Sequence, residues 1–385
     1  MAKASICVVT GSRAEYGLLY GVMREVEADP ELDLQVVATG MHLSPEFGLT
    51  VQSIQADGFE MTEQIEMLVS SDTPVGMTKS IGLGVIGFAD ALQRLRPDIV
   101  IVLGDRFEIF AAALAAYIAR IPIAHIGGGD VTEGALDEAI RHSITKMASL
   151  HFVTNEASRR RVCQLGEDPA RVFNVGHPGI DRIVRLTLLS RDELERALGF
   201  RFLSRNLLVT FHPVTLGNRD STAEFAELLD ALDQLGEKTG ILFTKPNADP
   251  HGRRLAEMVD EFVRDHPNAK AYSSLGQQYY FSVVKWVDAV VGNSSSGICE
   301  VPALGKPTVD IGDRQKGRLR GNSVIHCEAR REAILRAIEA AYQFDGSNVE
   351  NPYGDGTSSQ KIVQELRRHL QSGQSQPKHF YEVGS

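Results

Sequence analysis

The chain has 385 residues, of which 43% are hydrophobic and 23% charged, values usual for a protein with a buried core. At roughly 100–200 residues per domain, this length predicts two domains. The formal net charge of −10 argues against a general nucleic-acid binder, which needs a basic face to meet phosphates. It still allows a small anionic ligand held by a few local cations.

The four cysteines are far apart and form no CxxC pair: Cys7, Cys163, Cys299 and Cys327. We therefore expect packing thiols rather than disulfides or metal ligands. No apolar run reaches about 18 residues, so we expect no membrane span. The N-terminal segment runs straight into a strand without the long apolar run of a signal peptide, which favours a cytoplasmic protein.

In chain order, short apolar runs alternate with segments of helical periodicity. The first strand-like runs are SICVVTG, LDLQVVATG, DIVIVLGD, IPIAHIGGG, LHFVTN and RVFNVG. Helix-like segments such as EYGLLYGVMREVEA and ALDEAIRHSITKMA lie between them. Unbroken apolar runs are typical of parallel strands covered on both faces, so this order predicts an open, doubly wound α/β sheet.

A charged helical stretch near 178–200 interrupts the pattern, which then resumes. The later runs are NLLVTFHP, KTGILFTKPN, AKAYSS, DAVVGN, KPTVDIG and SVIHCE. We therefore predict two Rossmann-like domains, 1–177 and 178–357, followed by a last helix at about 358–372. After that helix we expect a frayed tail.

Polar segments follow most of the predicted strands. They are GSRAEYG, GMHLSPEFG, GDRFE, HIGGGD, FHPVT, FTKPNAD, GNSSSG and IGDRQKGR. Ligands of open α/β sheets bind beyond the carboxyl ends of the strands. Two such rims facing each other would form an interdomain cleft.

The stretch VVGNSSSGICE, residues 290–300, predicts a helix beginning at about Ser295 directly after a strand. The first turn of a helix has unpaired N–H groups and a partial positive charge, and Gly297 would let a ligand approach the backbone. This pattern favours a phosphate site, with a plain serine N-cap as the alternative. Glu300, just beyond, could accept two hydrogen bonds from a ribose diol or lie exposed.

Arginines in two strand-end segments are candidate phosphate ligands, because the planar guanidinium binds two oxygens at once. Solvated surface charges are the alternative. The candidates are Arg13, Arg314, Arg318 and Arg320.

Residues 82–87 read GLGVIG, a literal dinucleotide-binding motif, with Asp105 at about the distance of a ribose-binding acid. The preceding residues are polar and contain Pro74, so no strand leads into the glycines. We therefore predict a glycine-rich helix face that packs closely on its neighbour.

The first domain gathers carboxylates and histidines near its rim: Glu15, His42, Glu46, Asp105, His125, Asp130, Asp137, Glu138 and His142. In ALDEAIRHSITK, Asp137 and Arg141 share a helix face, as do Glu138 and His142. Such pairs can simply stabilise a helix by a few tenths of a kcal/mol.

The glycine-rich HIGGGDVTEG loop before that helix favours a ligand-facing role, because it can bring Asp130 close. In the second domain, His212 at a strand end is either ligand-facing or structural. We find no metal-ligand spacing and no GxSxG nucleophile signature.

Taken together, these segments resemble the hydrolysing UDP-N-acetylglucosamine 2-epimerases, bacterial enzymes of sialic-acid biosynthesis. The resemblance rests on TGSRAEYG, TGMHLSPEFG, LGDRFEIFAAA, DEAIRHSITKMA, QLGEDPARVFNVG, FHPVT, VVGNSSSGICEVPALG and IGDRQKGRLRG. These motifs run in order from residue 10 to about residue 321. A related enzyme type acts on UDP-2,4-diacetamido-2,4,6-trideoxyglucose in legionaminic-acid biosynthesis, and the motifs do not separate the two.

The resemblance implies the GT-B architecture, two Rossmann-like domains facing each other across a cleft, with the C-terminal helix crossing back to the first domain. It implies UDP on the second domain and no cofactor or metal. The implied substrate-binding residues are Arg13, His42, Glu46, Arg106, Arg141, His142, Asn293, Ser294, Ser295, Gly297, Glu300 and Arg318. The implied catalytic residues are Asp105, Asp137 and His212. We also expect a homodimer or homotetramer.

One departure concerns proton transfer. Relatives usually carry a larger polar residue where this chain has Gly127, and glutamate where it has Asp130. Asp130 is therefore a candidate base, reaching the substrate through the flexible glycines. The implied reaction converts UDP-N-acetylglucosamine and water to N-acetylmannosamine and UDP. The alternatives are the same chemistry on the diacetamido sugar, a non-hydrolysing epimerase, a GT-B glycosyltransferase and a nucleotide-sugar sensor.

Overall fold

The computed structural model describes residues 3–69, 71, 73–131, 136–213, 221–245, 250–273, 275–372 and 378–382. It divides into two compact units, Met1–Arg182 with Tyr353–Ser385, and Ile183–Pro352. Each unit contains one parallel sheet with helices on both faces. The prediction of two Rossmann-like α/β domains is therefore confirmed.

The first unit is built on a seven-stranded parallel sheet in the order β3-β2-β1-β4-β5-β6-β7. Its strands are β1 (Ala4–Thr10), β2 (Leu32–Thr39), β3 (Glu63–Ile65), β4 (Ile99–Leu103), β5 (Ile123–Ile126), β6 (Leu150–Val153) and β7 (Val172–Asn174). Its helices are α1 (Arg13–Ala28), α2 (Val51–Ala56), α3 (Pro74–Leu95), α4 (Phe107–Ile118), α5 (Leu136–Met147) and α6 (Glu156–Gln164). Helix α7 (Pro178–Arg185) leads into the second unit.

The second unit has a six-stranded parallel sheet in the order β10-β9-β8-β11-β12-β13. Its strands are β8 (Arg205–Thr210), β9 (Thr239–Thr244), β10 (Ala269–Tyr272), β11 (Ala289–Gly292), β12 (Thr308–Ile311) and β13 (Val324–Cys327). Its helices are α8 (Arg191–Leu198), α9 (Ser221–Asp233), α10 (Pro250–Asp265), α11 (Gly276–Trp286), α12 (Ser295–Cys299) and α13 (Arg331–Tyr342). The last helix, α14 (Ser358–Gln371), belongs to the first unit.

Strand β4 illustrates why both faces of a sheet need helices. Alternate side chains of a strand point to opposite faces. Ile99 and Ile101 join a core cluster with residues of α1 and α14, whereas Val100 and Val102 join a separate cluster with residues of α3 and α4. A strand with two buried faces must be apolar throughout, and this is the pattern that the sequence shows.

The strand order reverses between β1 and β4 in the first sheet and between β8 and β11 in the second. Connections on either side of such a point leave in opposite directions, which opens a crevice at the strand ends. Gly11 and Gly104 follow β1 and β4, and Phe211 and Asn293 follow β8 and β11. The polar segments after these four strands therefore lie at the two sites where this sheet order places ligands.

The GLGVIG stretch lies inside helix α3, so the prediction that it is a packing face is confirmed. A Cβ on Gly84 would lie 2.8 Å from Met67 Cε and 3.0 Å from Ala111 Cβ of α4. A Cβ on Gly87 would lie 2.6 Å from Ile65 Cγ2. Among the described residues, α3 is also the one helix that is long and apolar enough to span a membrane. This criterion uses only length and composition, and a core helix can meet it as well.

Helix α1 begins with a capping box, two residues after the end of β1. Glu15 Oε2 accepts hydrogen bonds from the backbone N–H groups of Gly11 at 2.8 Å and Ser12 at 3.1 Å. Glu15 is 5% exposed, and its Oε1 has no partner. Burial raises the pKa of Glu15 to about 7, the bond from Gly11 opposes that rise, and the nearby carboxylate of Glu108 adds to it.

We expect Glu15→Gln to change the pH dependence of stability. Because the folded-state pKa of Glu15 is raised, its stabilising contribution is complete below about pH 4.5 and is lost as the pH rises through about 7. Relative to wild type, the glutamine variant should therefore gain about 1–3 kcal/mol of unfolding free energy between pH 4.5 and pH 8. Urea unfolding followed by circular dichroism measures this difference.

The matched control is Glu27→Gln, because Glu27 lies on the same helix with a side chain that is 43% exposed. It should show little pH-dependent gain. Parallel stability curves for wild type and Glu15→Gln across this pH range would contradict the buried-acid explanation.

Gly292, the last residue of β11, is required by close packing. Its φ is +141°, and a Cβ there would overlap the carbonyl oxygen of Thr210 on β8. We expect Gly292→Ala to cost about 3 kcal/mol or more of unfolding free energy, from steric overlap added to backbone strain. Trp286, the single tryptophan, lies in the second unit, so its fluorescence during urea unfolding reports this unit.

Gly236→Ala is the control, since Gly236 has φ +69° but nothing within 4 Å of its missing Cβ. It should cost only about 1–2 kcal/mol, the strain of the left-handed backbone alone. Equal losses for the two variants would mean that overlap with Thr210 is not the cause.

Candidate functional site

The ends of β8 and β11 are tied together by the carboxamide of Asn293. Its Oδ1 accepts from the backbone N–H of His212 at 2.7 Å, and its Nδ2 donates to the His212 carbonyl at 2.8 Å. The Asn293 N–H donates to Thr210 O at 3.1 Å. The side chain of Asn293 is thus buried and positions the backbone of His212, and its expected contact with substrate stays a prediction.

The serine-rich turn begins a helix where the sequence predicts one. Ser294 is the N-cap of α12, and its Oγ accepts from the N–H of Ser296 at 3.4 Å. Ser296 Oγ accepts in turn from the hydroxyl of Tyr280 at 3.2 Å. Ser294 and Ser295 are half-buried, and Ser295 Oγ has no hydrogen-bond partner among the described residues. No sequence signal pointed to Tyr280 as a support for this turn.

We expected Gly297 to let a ligand approach the backbone, and the structure shows a different reason for the glycine. A Cβ at this position would lie 2.6 Å from Cγ2 of Thr308, and Thr308 Oγ1 donates to the Gly297 carbonyl at 2.7 Å. The glycine therefore lets α12 pack against β12, and its missing side chain leaves no opening for a ligand.

Two arginines of the DRQKGR segment lie beside this turn. Arg314 Nη1 donates to the carbonyl of Asn293 at 3.0 Å, and Arg318 Nη1 lies 3.9 Å from Cys299 Sγ. The pKa of Arg314 is lowered, first by partial desolvation and then by the positive charge of Arg318. Among the described residues neither arginine pairs with a carboxylate, so this place has two neighbouring positive charges.

The other arginines of the prediction lie apart from that pair. Arg320 is engaged by the buried Asp310, with Nε and Nη2 at 3.0 and 2.8 Å from Oδ2. Arg13 is exposed at the first position of α1, in the first unit.

Glu300 is half-buried at the C-cap of α12, consistent with a group that can accept hydrogen bonds. Gln315, which the sequence analysis did not single out, holds the segment by donating to Asn293 O at 2.9 Å.

In the first unit, Asp105 follows β4 and forms an ion pair with Arg141 of α5. Arg141 is 5% exposed, and its Nη1 also donates to the carbonyl of Asp130 at 2.5 Å. Burial raises the pKa of Asp105, Arg141 opposes that rise, and the charges of Asp137 and Asp130 add to it. The structure therefore brings Asp105 and the Asp130 carbonyl to the guanidinium of Arg141, with the charge of Asp137 acting on Asp105.

Asp130 is anchored rather than free. Its Oδ1 accepts from Thr154 Oγ1 at 3.0 Å and from Ser158 Oγ at 2.6 Å. Gly129, next to it, has φ +80° and no room for a Cβ against the carbonyl of Ser158. The flexible reach that we expected for Asp130 is therefore wrong, because these contacts fix its carboxylate on β6 and α6.

Gly127 differs from the other two glycines of the loop. Its φ is +84°, and a Cβ on this residue would have Gly104 N, 3.9 Å away, as its nearest neighbour. The space next to Gly104, the residue before Asp105, is thus open at Gly127.

The remaining predicted residues of α5 lie on its first two turns. Asp137 is exposed, and His142 Nε2 lies 3.5 Å from Glu138 Oε1, so the i,i+4 pair of Glu138 and His142 forms as expected. Glu138 also lies 3.7 Å from Arg141 Nη1. Residues 132–135 before this helix, and the ends of the FHPVT and FTKPNAD segments beyond 213 and 245, lie outside the described residues.

Two of the histidines that the sequence predicted near the rim of the first domain are buried. His42 is fully buried, with Nε2 3.0 Å from Thr10 Oγ1 and Nδ1 2.8 Å from Thr50 Oγ1, and burial lowers its pKa to about 4. These contacts give His42 a structural role, and its expected contact with substrate stays a prediction. His125 is also fully buried, its Nε2 lies 2.8 Å from Gly104 O, and burial lowers its pKa to about 3. Both rings are neutral supports for the strand ends.

A cavity of about 650 Å³ opens in the first unit, within the size range of small-molecule sites. Its apolar lining includes Met41, Met67, Met77, Phe47 and Phe107, and its polar lining includes Glu46, Glu66, Ser80, Arg106 and Glu108. Glu46 and Arg106 therefore face one space, as the rim prediction implied. Arg106 is held by two hydrogen bonds, of 3.2 and 2.9 Å, to the fully buried Glu108, a residue that the prediction did not include.

No group of three or more metal-ligating side chains occurs among the described residues. The candidate site therefore consists of an acidic cluster around Arg141 and an adjoining cavity in the first unit, and of a hydroxyl-rich turn with two arginines in the second.

Residues 24–367 match the family model of UDP-N-acetylglucosamine 2-epimerase. The chain is 42% identical over 329 residues to a GDP/UDP-N,N'-diacetylbacillosamine 2-epimerase (hydrolyzing) of Campylobacter jejuni, covering 85% of each chain. It is 35% identical over 382 residues to the polysialic acid biosynthesis protein P7 of Escherichia coli, covering 98% of this chain and 97% of that one.

Among solved structures, the UDP-GlcNAc 2-epimerase from Neisseria meningitidis bound to UDP-GlcNAc matches with a TM-score of 0.77. The two share 20% identity over 94% of this chain and 100% of that one, so this likeness supports the GT-B-like fold. The family model and the relatives together show more than the fold: the chain belongs to the UDP-N-acetylglucosamine 2-epimerase family, among its hydrolysing members.

Proposed function

We propose that this protein is a hydrolysing 2-epimerase of UDP-2,4-diacetamido-2,4,6-trideoxyglucose, the sugar also called N,N'-diacetylbacillosamine. It would release UDP and the corresponding 2-epimeric free sugar. The observation that carries the proposal is the buried Asp105–Arg141 ion pair with the charge of Asp137 acting on Asp105, in a chain 42% identical to a relative named for this reaction. The sequence alone put UDP-N-acetylglucosamine first, and the relative's name reverses that order.

The second unit would bind the nucleotide. The hydroxyls of Ser294 and Ser295 and the guanidinium groups of Arg314 and Arg318 would meet the diphosphate, and Glu300 would accept hydrogen bonds from the ribose. Two cations without carboxylate partners among the described residues, beside an unpartnered serine hydroxyl, form a place where an added anion lowers the electrostatic energy. Arg13, which lies in the first unit, stays a predicted substrate-binding residue.

The chemistry follows from the low acidity of the C2 proton, which has no neighbouring carbonyl. Removing it alone would leave an unstabilised carbanion. In the proposed reaction, a base takes the C2 proton while the C1–O bond breaks, and the electron pair leaves with UDP. The new C1–C2 double bond is then hydrated: water adds its oxygen at C1, and a proton returns to C2 from the opposite face.

This sequence needs one proton acceptor and one proton donor. Asp105 and Asp137 suit these roles, because both are carboxylates and the charge of Asp137 acts on Asp105. The raised pKa of Asp105 brings its titration closer to neutral pH, where acid–base catalysis is most efficient. His212, held at its backbone by Asn293, would handle a proton near the leaving diphosphate.

The choice of sugar rests on the name of the relative that is 42% identical to this chain. The cavity of the first unit has a mixed lining of methionine, phenylalanine, glutamate, serine and arginine side chains, which suits methyl groups and hydroxyls alike. UDP-N-acetylglucosamine is the second candidate, favoured by the description of the matching family model. Family membership removes the glycosyltransferase alternative.

The direct test offers the protein three substrates in deuterated water: the UDP- and GDP-linked diacetamido sugars and UDP-N-acetylglucosamine. We expect free 2-epimeric sugar with deuterium at C2, and the highest kcat/KM for the UDP-linked diacetamido sugar. Faster turnover of UDP-N-acetylglucosamine would replace the proposed substrate. A product that keeps its nucleotide, or a product without deuterium, would overturn the proposed mechanism.

A pair of variants separates chemistry from nucleotide binding. Asp137→Asn should lower kcat by about 10²–10⁴-fold, because it removes a proton-transfer group, and should leave the Kd of UDP nearly unchanged. Arg318→Met should raise the Kd of UDP by about 10- to 100-fold, since it removes a charged hydrogen-bond donor. Kinetics with calorimetric titration of UDP measure both.

Lys316→Met is the control for Arg318, as Lys316 is an exposed cation two residues away. It should change UDP affinity little. A wild-type rate for Asp137→Asn would remove that residue from the mechanism, and equal effects of the two cation variants would reduce the arginine site to general surface charge.

A further inference from the structure

Residues 378–382 pack on the first unit, where the sequence predicted a frayed tail. Lys378 Nζ donates to three carbonyls at the end of α5: Lys146 and Ala148, both at 2.7 Å, and Thr145 at 3.3 Å. The last carbonyls of a helix lack partners within the helix and carry partial negative charge. A lysine ammonium, with three donors, satisfies them and caps the helix.

The same ammonium group also reaches a buried carboxylate. Lys378 Nζ lies 2.6 Å from Oε2 of Glu167, whose side chain is 3% exposed. Lys146 and His151 contact the same carboxylate at 2.5 and 3.0 Å. Burial alone would raise the pKa of Glu167, but the hydrogen bonds from His151, Lys146 and Lys378 outweigh it and hold that pKa at about 2.

Two further contacts hold the segment in place. The Tyr381 N–H donates to the Gly166 carbonyl at 2.9 Å. The ring of Phe380 occupies the space that a side chain on Gly166 would take, and Lys146 Nζ lies 5.2 Å from the ring centroid. A frayed end makes no such set of contacts. Residues 378–382, which we call the strap, are thus fixed to α5 and to the loop after α6.

The capped helix is the one that carries Asp137, Glu138, Arg141 and His142. Thr145 lies one turn after Arg141 on this helix: its carbonyl accepts from Lys378, and its Oγ1 donates to the Arg141 carbonyl at 3.0 Å. Thr145 Oγ1 also lies 3.2 Å from Nδ1 of His125, whose other nitrogen bonds Gly104 O beside Asp105. Polar contacts therefore lead from the strap through Thr145 to the backbone of Arg141, and from Thr145 through His125 to Gly104 beside Asp105.

We propose that Lys378 is a positioning residue: by fixing the C-terminal end of α5, it sets Arg141 and Asp137 in place relative to Asp105. The kinetic consequence rests on the proposed function, whereas the restraint on α5 does not. Small displacements of catalytic groups are costly, because a shift of about 1 Å can lower the rate of an enzyme by about 10²-fold.

The test compares Lys378→Met, which keeps the length of the side chain but removes the ammonium group, with Lys378→Arg, which keeps the charge and several donors. Lys361→Met is the matched control, since Lys361 lies on α14 of the same unit and pairs only with the exposed Asp355 among the described residues. We expect Lys378→Met to lower kcat by about 10- to 100-fold with KM and the Kd of UDP nearly unchanged, Lys378→Arg to recover most of the rate, and Lys361→Met to match wild type.

A pH profile distinguishes positioning from lost stability. Arg141 lowers the pKa of Asp105, so an α5 that shifts away should move the acidic limb of kcat to higher pH in Lys378→Met alone. Amide hydrogen exchange of residues 143–148 should also quicken in that variant. Wild-type kcat, or an unmoved acidic limb together with a lowered melting temperature, would reduce Lys378 to a stabilising residue and overturn the proposal.

The two proposals fail separately. If the wild-type protein turns over none of the nucleotide sugars, the proposed function is wrong. Hydrogen exchange then tests by itself whether Lys378 restrains α5. Unchanged amide exchange at residues 143–148 in Lys378→Met would overturn the proposal that Lys378 restrains α5, whatever the substrate is. Faster exchange there, with Lys361→Met unchanged, supports it.

Discussion

The buried guanidinium of Arg141 is the interaction on which the first unit's site depends. A charge that is 5% exposed must be paired and hydrogen-bonded to be tolerated. Asp105 supplies the charge and the Asp130 carbonyl a further hydrogen bond, so one side chain joins α5 to the ends of β4 and β5. The same contact keeps Asp105 ionisable in an environment whose burial and neighbouring carboxylates would otherwise favour its protonated form.

Each unit supports its reversal point with a buried side chain bonded to backbone. In the first unit a neutral His125 holds the carbonyl of Gly104, and in the second the carboxamide of Asn293 holds both backbone groups of His212. Strand ends that diverge cannot satisfy these groups with ladder hydrogen bonds, so side chains must do so. The residue after each supported strand end is polar and lies at the rim: Asp105 after Gly104 in the first unit, and Ser294 after Asn293 in the second.

The charges of the two rims are opposite in kind. The first unit presents carboxylates whose negative charges repel each other, and the second presents arginines that repel each other. An elimination that removes a proton and releases a diphosphate calls for these two environments, because stabilising charge where it develops is commonly the largest catalytic term. A sensor that only bound the nucleotide sugar would have no use for the acidic cluster.

Much of this protein follows from local pattern. The continuous apolar strands, the helix beginning at Ser295 and the packing role of GLGVIG were all predictable, because strand and helix periodicities are short-range properties. The motifs also predicted which strand ends carry polar side chains. The roles of individual residues were less accessible: His42 is internal, Gly297 serves packing against Thr308, and Asp130 is anchored by two hydroxyls.

What the sequence determined by itself was the kind and order of the elements and the family to which they belong. Only the tertiary structure decided which polar groups meet: Asp105 with Arg141, 36 residues apart, and Lys378 with Thr145, 233 residues apart. The reason is physical. Periodicity and turn chemistry act over a few residues, whereas burial, pairing and the resulting pKa shifts arise from contacts that chain spacing does not encode.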